Sequence, residues 1–117
     1  MTVKRIVVDI ATGDVPGVRK FYEDLFDMAP VMDQGWIVTL ASDETAKVQL
    51  SIASEGGSGT QVPDMSIEVD DVDALYARAK SLNVPIVYDL TDEPWGVRRF
   101  YARDPAGKVL NILAHAT

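Results

Sequence analysis

The sequence predicts an α+β fold made of two tandem β-α-β-β-β modules, and three observations predict it. The first is a repeat: the apolar residues Val15, Val18, Tyr22 and Leu25 recur as Val72, Leu75, Ala79 and Leu82, each 57 residues later. The second is an aspartate ahead of each stripe, Asp14 and Asp71, placed to cap a helix by accepting backbone N–H bonds. The third is a short apolar stretch before each aspartate, Ile6-Val7-Val8-Asp9-Ile10 and Met65-Ser66-Ile67-Glu68-Val69. Two unrelated amphipathic helices in one domain could share a feature by coincidence. A strand, a cap and a stripe recurring in the same order at one offset point instead to duplication.

The elements follow in order. A strand over residues 6–10 leads to a helix beginning after Asp14. Its apolar residues fall at i, i+3, i+7 and i+10, which gathers them on one side of the helix. A short strand near residues 30–32 then precedes strands at 35–41 and 46–53. The stretch Ser54-Glu55-Gly56-Gly57-Ser58-Gly59-Thr60 reads as a flexible linker, rich in Gly and Ser. It sets the boundary between a first module, residues 1–60, and a second, residues 61–117, which together form one domain. In the second module a strand at 65–69 is followed by a helix after Asp71 and by strands at 84–88, 97–103 and 108–114. Between the last two lies Asp104-Pro105-Ala106-Gly107, with Pro and Gly at the second and fourth positions that suit a type I turn.

The totals narrow the classes of function. Hydrophobic residues make up 47% and charged residues 25% of the 117, the ordinary balance of a chain that buries a core rather than staying disordered. The net charge is -7, from 18 acidic and 11 basic residues. Such a surface repels phosphate backbones, so nucleic acid is not an expected partner. With no cysteine, the chain has no disulfide, thiolate nucleophile or cysteine-held metal. No apolar run is long enough to span a membrane, and Met1-Thr2-Val3-Lys4-Arg5 opens onto a strand pattern rather than a signal peptide. A cytoplasmic location is the expectation.

Four segments carry a family resemblance. Thr12-Gly13-Asp14 through Phe21-Tyr22-Glu23-Asp24-Leu25 resembles a strand-to-helix passage of the vicinal oxygen chelate superfamily, the glyoxalase, bleomycin-resistance and dioxygenase group. Val69-Asp70-Asp71-Val72-Asp73 resembles the start of that group's second helix, and Trp95-Gly96-Val97-Arg98-Arg99-Phe100 with Asp104-Pro105-Ala106-Gly107 resembles its closing hairpin. The resemblance covers nearly the whole chain. It implies that the two modules form a curved mixed sheet around a ligand cavity, and it implies a homodimer, with exchange of modules across chains permitted by the Gly-rich linker. It also assigns four metal-ligand positions, usually His, Glu or Gln, to Val7, Gln49, Asp64 and Asn111. Here the chain departs from the pattern. Valine cannot ligate, Gln and Asn are neutral, and zinc, nickel or iron wants imidazole, thiolate or several carboxylates. The only histidine, His115, is near the end and reads as solvated. No metal or other cofactor is therefore expected, although a weak Mg²⁺ or Mn²⁺ site held by oxygen donors stays open.

Strand alternation and the resemblance together give a candidate pocket of Asp9, Gln49, Ser51, Asp64, Trp95, Arg99, Tyr101 and Asn111. Each has a plainer reading. Asp9 could be exposed at the rim or paired with Arg99, Asp64 could belong to a turn after Pro63, Gln49 could face outward, and Trp95 could be core. Asn111, between apolar neighbours, would need partners if buried. Asp92-Glu93-Pro94 reads as a solvated loop and a candidate lid. Two functions fit these residues. One is metal-independent binding of a small aromatic or cationic molecule, as in sequestration or resistance, since carboxylates and aromatic faces both attract cations. The alternative is an enzyme of the lyase, isomerase or dioxygenase kind. It would use Asp9 or Asp64 as general base, with Arg99 or Tyr101 stabilising negative charge, or a weak divalent metal.

Overall fold

The computed structural model describes residues 7–46 and 51–115. It is α+β, with two helices and six strands among the described residues, arranged in a two-stranded and a four-stranded sheet. The chain divides into two compact units, Met1–Ser54 and Glu55–Thr117.

In the first unit, α1 spans Val15–Phe26 and starts where the Asp14 side chain accepts the Gly17 N–H. Pro16 falls in its first turn, where a missing N–H does no harm. The stripe residues Val18, Tyr22 and Leu25 are buried, and the helix ends at Asp27 in the left-handed conformation. The strands β1, Ala29–Asp33, and β2, Val38–Ala41, pair antiparallel. The strand expected at 6–10 is not formed over residues 7–10, and residues 51–53 of the expected strand at 46–53 are likewise irregular. A strand is defined by its pairing, and among the described residues no partner accepts the backbone groups of either segment. Ile6 and residues 47–50 lie outside the described residues.

The second unit runs β3 (Met65–Glu68), α2 (Val72–Ser81), β4 (Ile86–Glu93), β5 (Val97–Arg103) and β6 (Val109–His115). Its sheet has the order β3-β6-β5-β4, with β3 parallel to β6 and the other pairs antiparallel. Asp71 caps α2 by accepting the Ala74 N–H, and the helix begins 57 residues after α1, at Val72 against Val15. Leu82, the last residue of the expected stripe, is instead 47% exposed, because α2 stops at Ser81 and Leu82 is its C-cap. On one face of the sheet Phe100, Ala102, Leu110 and Ile112 are fully buried. Tyr76 of α2 meets the Phe100 ring edge-on at 5.1 Å. In the turn at Asp104, Gly107 donates to the Asp104 carbonyl, and the Asp104 carboxylate accepts from Ala106 and Lys108.

Candidate functional site

The face of the second sheet turned away from α2 carries the polar groups. Arg99 is in register with Leu113, and Tyr101 with Asn111, which is itself in register with Ser66. Alternation puts all of them on one face.

Arg99 is the centre of the cluster and only 3% exposed. One terminal nitrogen donates to the Gly56 carbonyl at 2.8 Å and to the Tyr101 hydroxyl at 3.2 Å. The other donates to the Gly57 carbonyl at 3.3 Å and lies 2.7 Å from Glu93 Oε2. The guanidinium carbon stands 5.3, 5.1 and 5.0 Å from the ring centroids of Tyr88, Trp95 and Tyr101. The cation thus sits among three aromatic rings.

Glu93 was expected in a solvated loop. It is instead the last residue of β4, buried, with Oε1 accepting from Tyr88 and Ser58 at 3.2 Å each. The reason is its charge: a carboxylate loses its hydration only where a cation and hydrogen-bond donors replace it, and Arg99, Tyr88 and Ser58 do so. The contact from Glu93 Oε2 to Arg99 is close enough for an ion pair but lacks hydrogen-bond alignment. Glu93 Oε2 and Arg99 Nε are therefore both buried without a hydrogen-bond partner.

The Gly56–Thr60 segment, expected as a linker, lies over this cluster. Gly56 N–H donates to the Thr60 carbonyl, and Thr60 N–H to the Gly57 carbonyl. The Thr60 hydroxyl is 3.0 Å from the Tyr101 hydroxyl. The fit depends on absent side chains. A Cβ on Gly56 would stand 2.1 Å from the Gln61 carbonyl oxygen and 2.5 Å from the Tyr101 hydroxyl. One on Gly57, where φ is +84°, would stand 2.7 Å from the Trp95 ring. Trp95 itself occupies the β4–β5 turn and is 50% exposed.

The remaining candidates are placed as follows. Asp64 is tied to the start of β6: its carboxylate accepts the Val109 N–H at 2.7 Å, and its own N–H donates to the Val109 carbonyl at 2.8 Å. The Asn111 amide nitrogen donates to Ser66 Oγ at 3.0 Å, while its Oδ1 is buried without a partner. In the first unit, Val7, Asp9 and Ser51 are exposed and irregular, and Gln49 lies outside the described residues. The structure therefore brings Arg99, Tyr101 and Asn111 onto one sheet face, with Trp95 in the adjoining β4–β5 turn and Asp64 just before β3. Sequence reasoning missed Glu93, Tyr88, Thr60 and the two glycine carbonyls. A signal for Glu93 was present: Glu93-Pro94-Trp95-Gly96 has the same Pro and Gly placement as Asp104-Pro105-Ala106-Gly107. Gly96 indeed donates to the Glu93 carbonyl, which ends a strand at that residue.

Of the four positions that family resemblance gives to metal ligands, three are described and each is a poor donor for zinc, nickel or iron. Val7 has no donor, the Asp64 carboxylate already accepts the Val109 N–H, and Asn111 offers a neutral amide. Among the described residues no three His, Cys, Asp or Glu side chains are grouped as a metal site would need. His115 lies 2.9 Å from Glu68, both well exposed. The first unit has a surface cleft of about 560 Å³ beside Arg19, Lys20 and Asp33. It is open, and its cations are already paired, Arg19 with Glu23 and Asp33, Lys20 with Asp24. The cluster around Arg99, with its buried polar atoms lacking partners, is the better candidate.

A family model described as Glyoxalase/Bleomycin resistance protein/Dioxygenase superfamily matches residues 3–112. The chain belongs to that superfamily. Solved structures agree on the fold. TioX from Micromonospora sp. ML1 is 22% identical with a TM-score of 0.66, over 97% of this chain and 98% of that one. A protein of unknown function from Agrobacterium tumefaciens str. C58 is 19% identical with a TM-score of 0.68, over 97% and 96%. A lactoylglutathione lyase from Agrobacterium tumefaciens is 20% identical with a TM-score of 0.59, over 86% and 85%. Among curated proteins none matches. Superfamily membership thus spans names as different as a lyase and a resistance protein, and the chemistry of this member has to be argued from its own residues. No helix among the described residues is long and apolar enough to cross a membrane.

Proposed function

We propose that this superfamily member binds a small planar aromatic molecule without a metal, at the sheet face around Trp95, Arg99, Tyr101 and Asn111. The observation that carries the reading is Trp95, a large ring left half exposed beside the buried Arg99 guanidinium. A flat apolar surface beside a few convergent polar groups is the ordinary make-up of a small-molecule site. The geometry favours the aromatic over the cationic ligand. Three rings and Glu93 already surround one cation, Arg99, so a second cation would be repelled and would find the carboxylate taken. Sequestration is favoured over turnover. Of the catalytic candidates, Asp64 is committed to the Val109 N–H, Arg99 and Tyr101 are engaged with the Gly56–Thr60 loop, and Asp9 is exposed. A homodimer in a cytoplasmic setting belongs to the same reading, and light scattering at micromolar concentration checks the assembly.

The test uses Trp95 fluorescence in a Trp36→Phe background, since Trp36 is the other tryptophan and is exposed. Neutral planar aromatics should perturb the emission, while quaternary ammonium compounds of equal size should not. Trp95→Ala should weaken binding by about tenfold, the stacking and area contribution of one ring. A panel of aromatics that leaves the emission unchanged would sink the reading, and multiple turnover of a bound compound would move it to the enzyme alternative.

A further inference from the structure

Arg99 already holds something that has the form of a ligand. Its two terminal nitrogens grip the carbonyl oxygens of Gly56 and Gly57, two acceptors joined by one N–Cα unit. No side chain separates those carbonyls from the cluster, and Gly57 lies directly against the Trp95 ring. One donor of the same guanidinium, Nε–H, remains buried and unpartnered. Arginine presents its donors as a rigid planar fork. A fork that holds two peptide carbonyls and has a spare donor is chemically a receptor for a peptide-like pair of carbonyls.

We infer that the Gly56–Gly57 segment is a self-ligand, and that the molecule displacing it is an aromatic compound bearing two amide carbonyls spaced as in an acyl-glycine amide. This rests on the proposed aromatic-binding function and names its ligand class. The exchange balances. The incoming carbonyls replace those of Gly56 and Gly57 on the two terminal nitrogens, the methylene between them takes the place of the Gly57 Cα against Trp95, and the aryl group continues from the acyl carbonyl onto the exposed part of the Trp95 ring. Neutral carbonyls suit the site better than a carboxylate, because Glu93 already neutralises Arg99. Besides Arg99, the glycines are held by the bonds between Gly56, Gly57 and Thr60 and by the Tyr101 hydroxyl at 3.5 Å from the Gly56 carbonyl, while Ser58 and Thr60 tie the loop to Glu93 and Tyr101.

N-benzoylglycinamide supplies the ring and both carbonyls, N-ethylbenzamide the ring and one, and ethylbenzene the ring alone. Calorimetry on the full chain should rank them in that order, with the diamide at least about tenfold tighter than the monoamide, the effect of one added hydrogen bond to a charged donor. Gly57→Ala, which crowds Trp95 and disfavours the closed loop, should tighten the diamide several-fold relative to ethylbenzene. In nitrogen-resolved NMR the Arg99 Nε–H resonance should move with the diamide and not with ethylbenzene. This last measurement is made on the wild-type chain and stands even if Gly57→Ala misfolds. Equal binding of diamide and monoamide, or weaker diamide binding in Gly57→Ala, would overturn the self-ligand while leaving aromatic binding intact. If none of the three compounds binds, the proposed function fails with it.

Discussion

The four-stranded sheet of the second unit is covered in two different ways. On one face α2 packs against Phe100, Ala102, Leu110 and Ile112, which have no exposed surface and no polar side-chain atom to satisfy. On the other face a glycine-rich loop lies over Arg99 and Tyr101, which are as deeply buried but are polar. The apolar face gains its stability from area removed from water. The polar face has to replace the hydration of every charge it buries, and it does so incompletely: Arg99 Nε has no hydrogen-bond partner, and Glu93 Oε2 has its ion pair with Arg99 but no hydrogen bond. The lesson is that the first face is built for stability, while the second tolerates a deficit that the proposed exchange of the loop for a ligand would use.

The largest expected effect breaks the apolar face. Phe100→Ala should cost about 3–5 kcal/mol, since the ring is fully buried and a helix cannot collapse freely into the space. Denaturant unfolding measures it, and ligand affinity in the folded fraction should hold. On the polar face, Arg99→Met should cost about 3 kcal/mol by leaving the Glu93 carboxylate buried without its cation. The companion variant Arg99→Met, Glu93→Leu removes both charges and should recover most of that loss. A double variant no more stable than the single one would mean that the ion pair is not what makes the polar face costly. Both variants should lose the binding of aromatic amides, which separates the stability of this face from its chemistry.

A smaller effect compares the two units. Asp14 and Asp71 cap helices that begin 57 residues apart and accept equivalent N–H groups, those of Gly17 and Ala74. Each aspartate changed to alanine should cost about 1 kcal/mol. Closely similar losses at the two sites, read by unfolding monitored in the far ultraviolet, would support the proposed duplication into modules. A loss at only one would weaken it.

These helices were the most legible part of the chain, because caps and 3.6-residue spacing are local signals. The strands at 97–103 and 108–114 were legible for a related reason, apolar alternation ending at a turn marked by Pro105 and Gly107. The site was only partly so. Arg99 and Tyr101 were named together because the family resemblance turns both inward and residues two apart on a strand share a face, and Trp95 because the resemblance puts it near the cavity mouth. Their partners were not. Glu93 read as solvent because charge next to Pro usually is, and its burial depends on Arg99, six residues away across a hairpin. The Gly56–Thr60 segment read as a linker because glycine signals freedom. What the sequence could not display is that the same glycines allow a close seat under Trp95 and Tyr101. Both misses are tertiary contacts whose local signature is that of a loop.

The smallest effect sharpens the comparison at the rim of the helix-covered face, where charges are paired in water rather than buried. Arg98 donates to Asp73 of α2 at 2.9 Å and also meets Asp92 at 3.0 Å. The hydrogen bond from Arg98, helped by its charge, holds the Asp73 carboxyl below its ordinary value of 3.8. A carboxylate with a depressed value in the folded state contributes stability above its unfolded value, and that contribution is lost as pH falls from about 3.8 through the folded value. Asp73→Asn should therefore be less stable than the parent at neutral pH, with a gap that closes as the solution is taken toward pH 2. High salt should shrink the neutral-pH gap as well, because the pair is exposed and screened. The buried Arg99–Glu93 pair gives the contrast: salt should scarcely alter the cost of Arg99→Met, since counterions do not reach it. Unfolding curves for both variants at low and high salt decide the matter. Equal salt sensitivity would mean that the two faces do not differ in the way their burial implies, and that the loop over Arg99 is open to solvent most of the time.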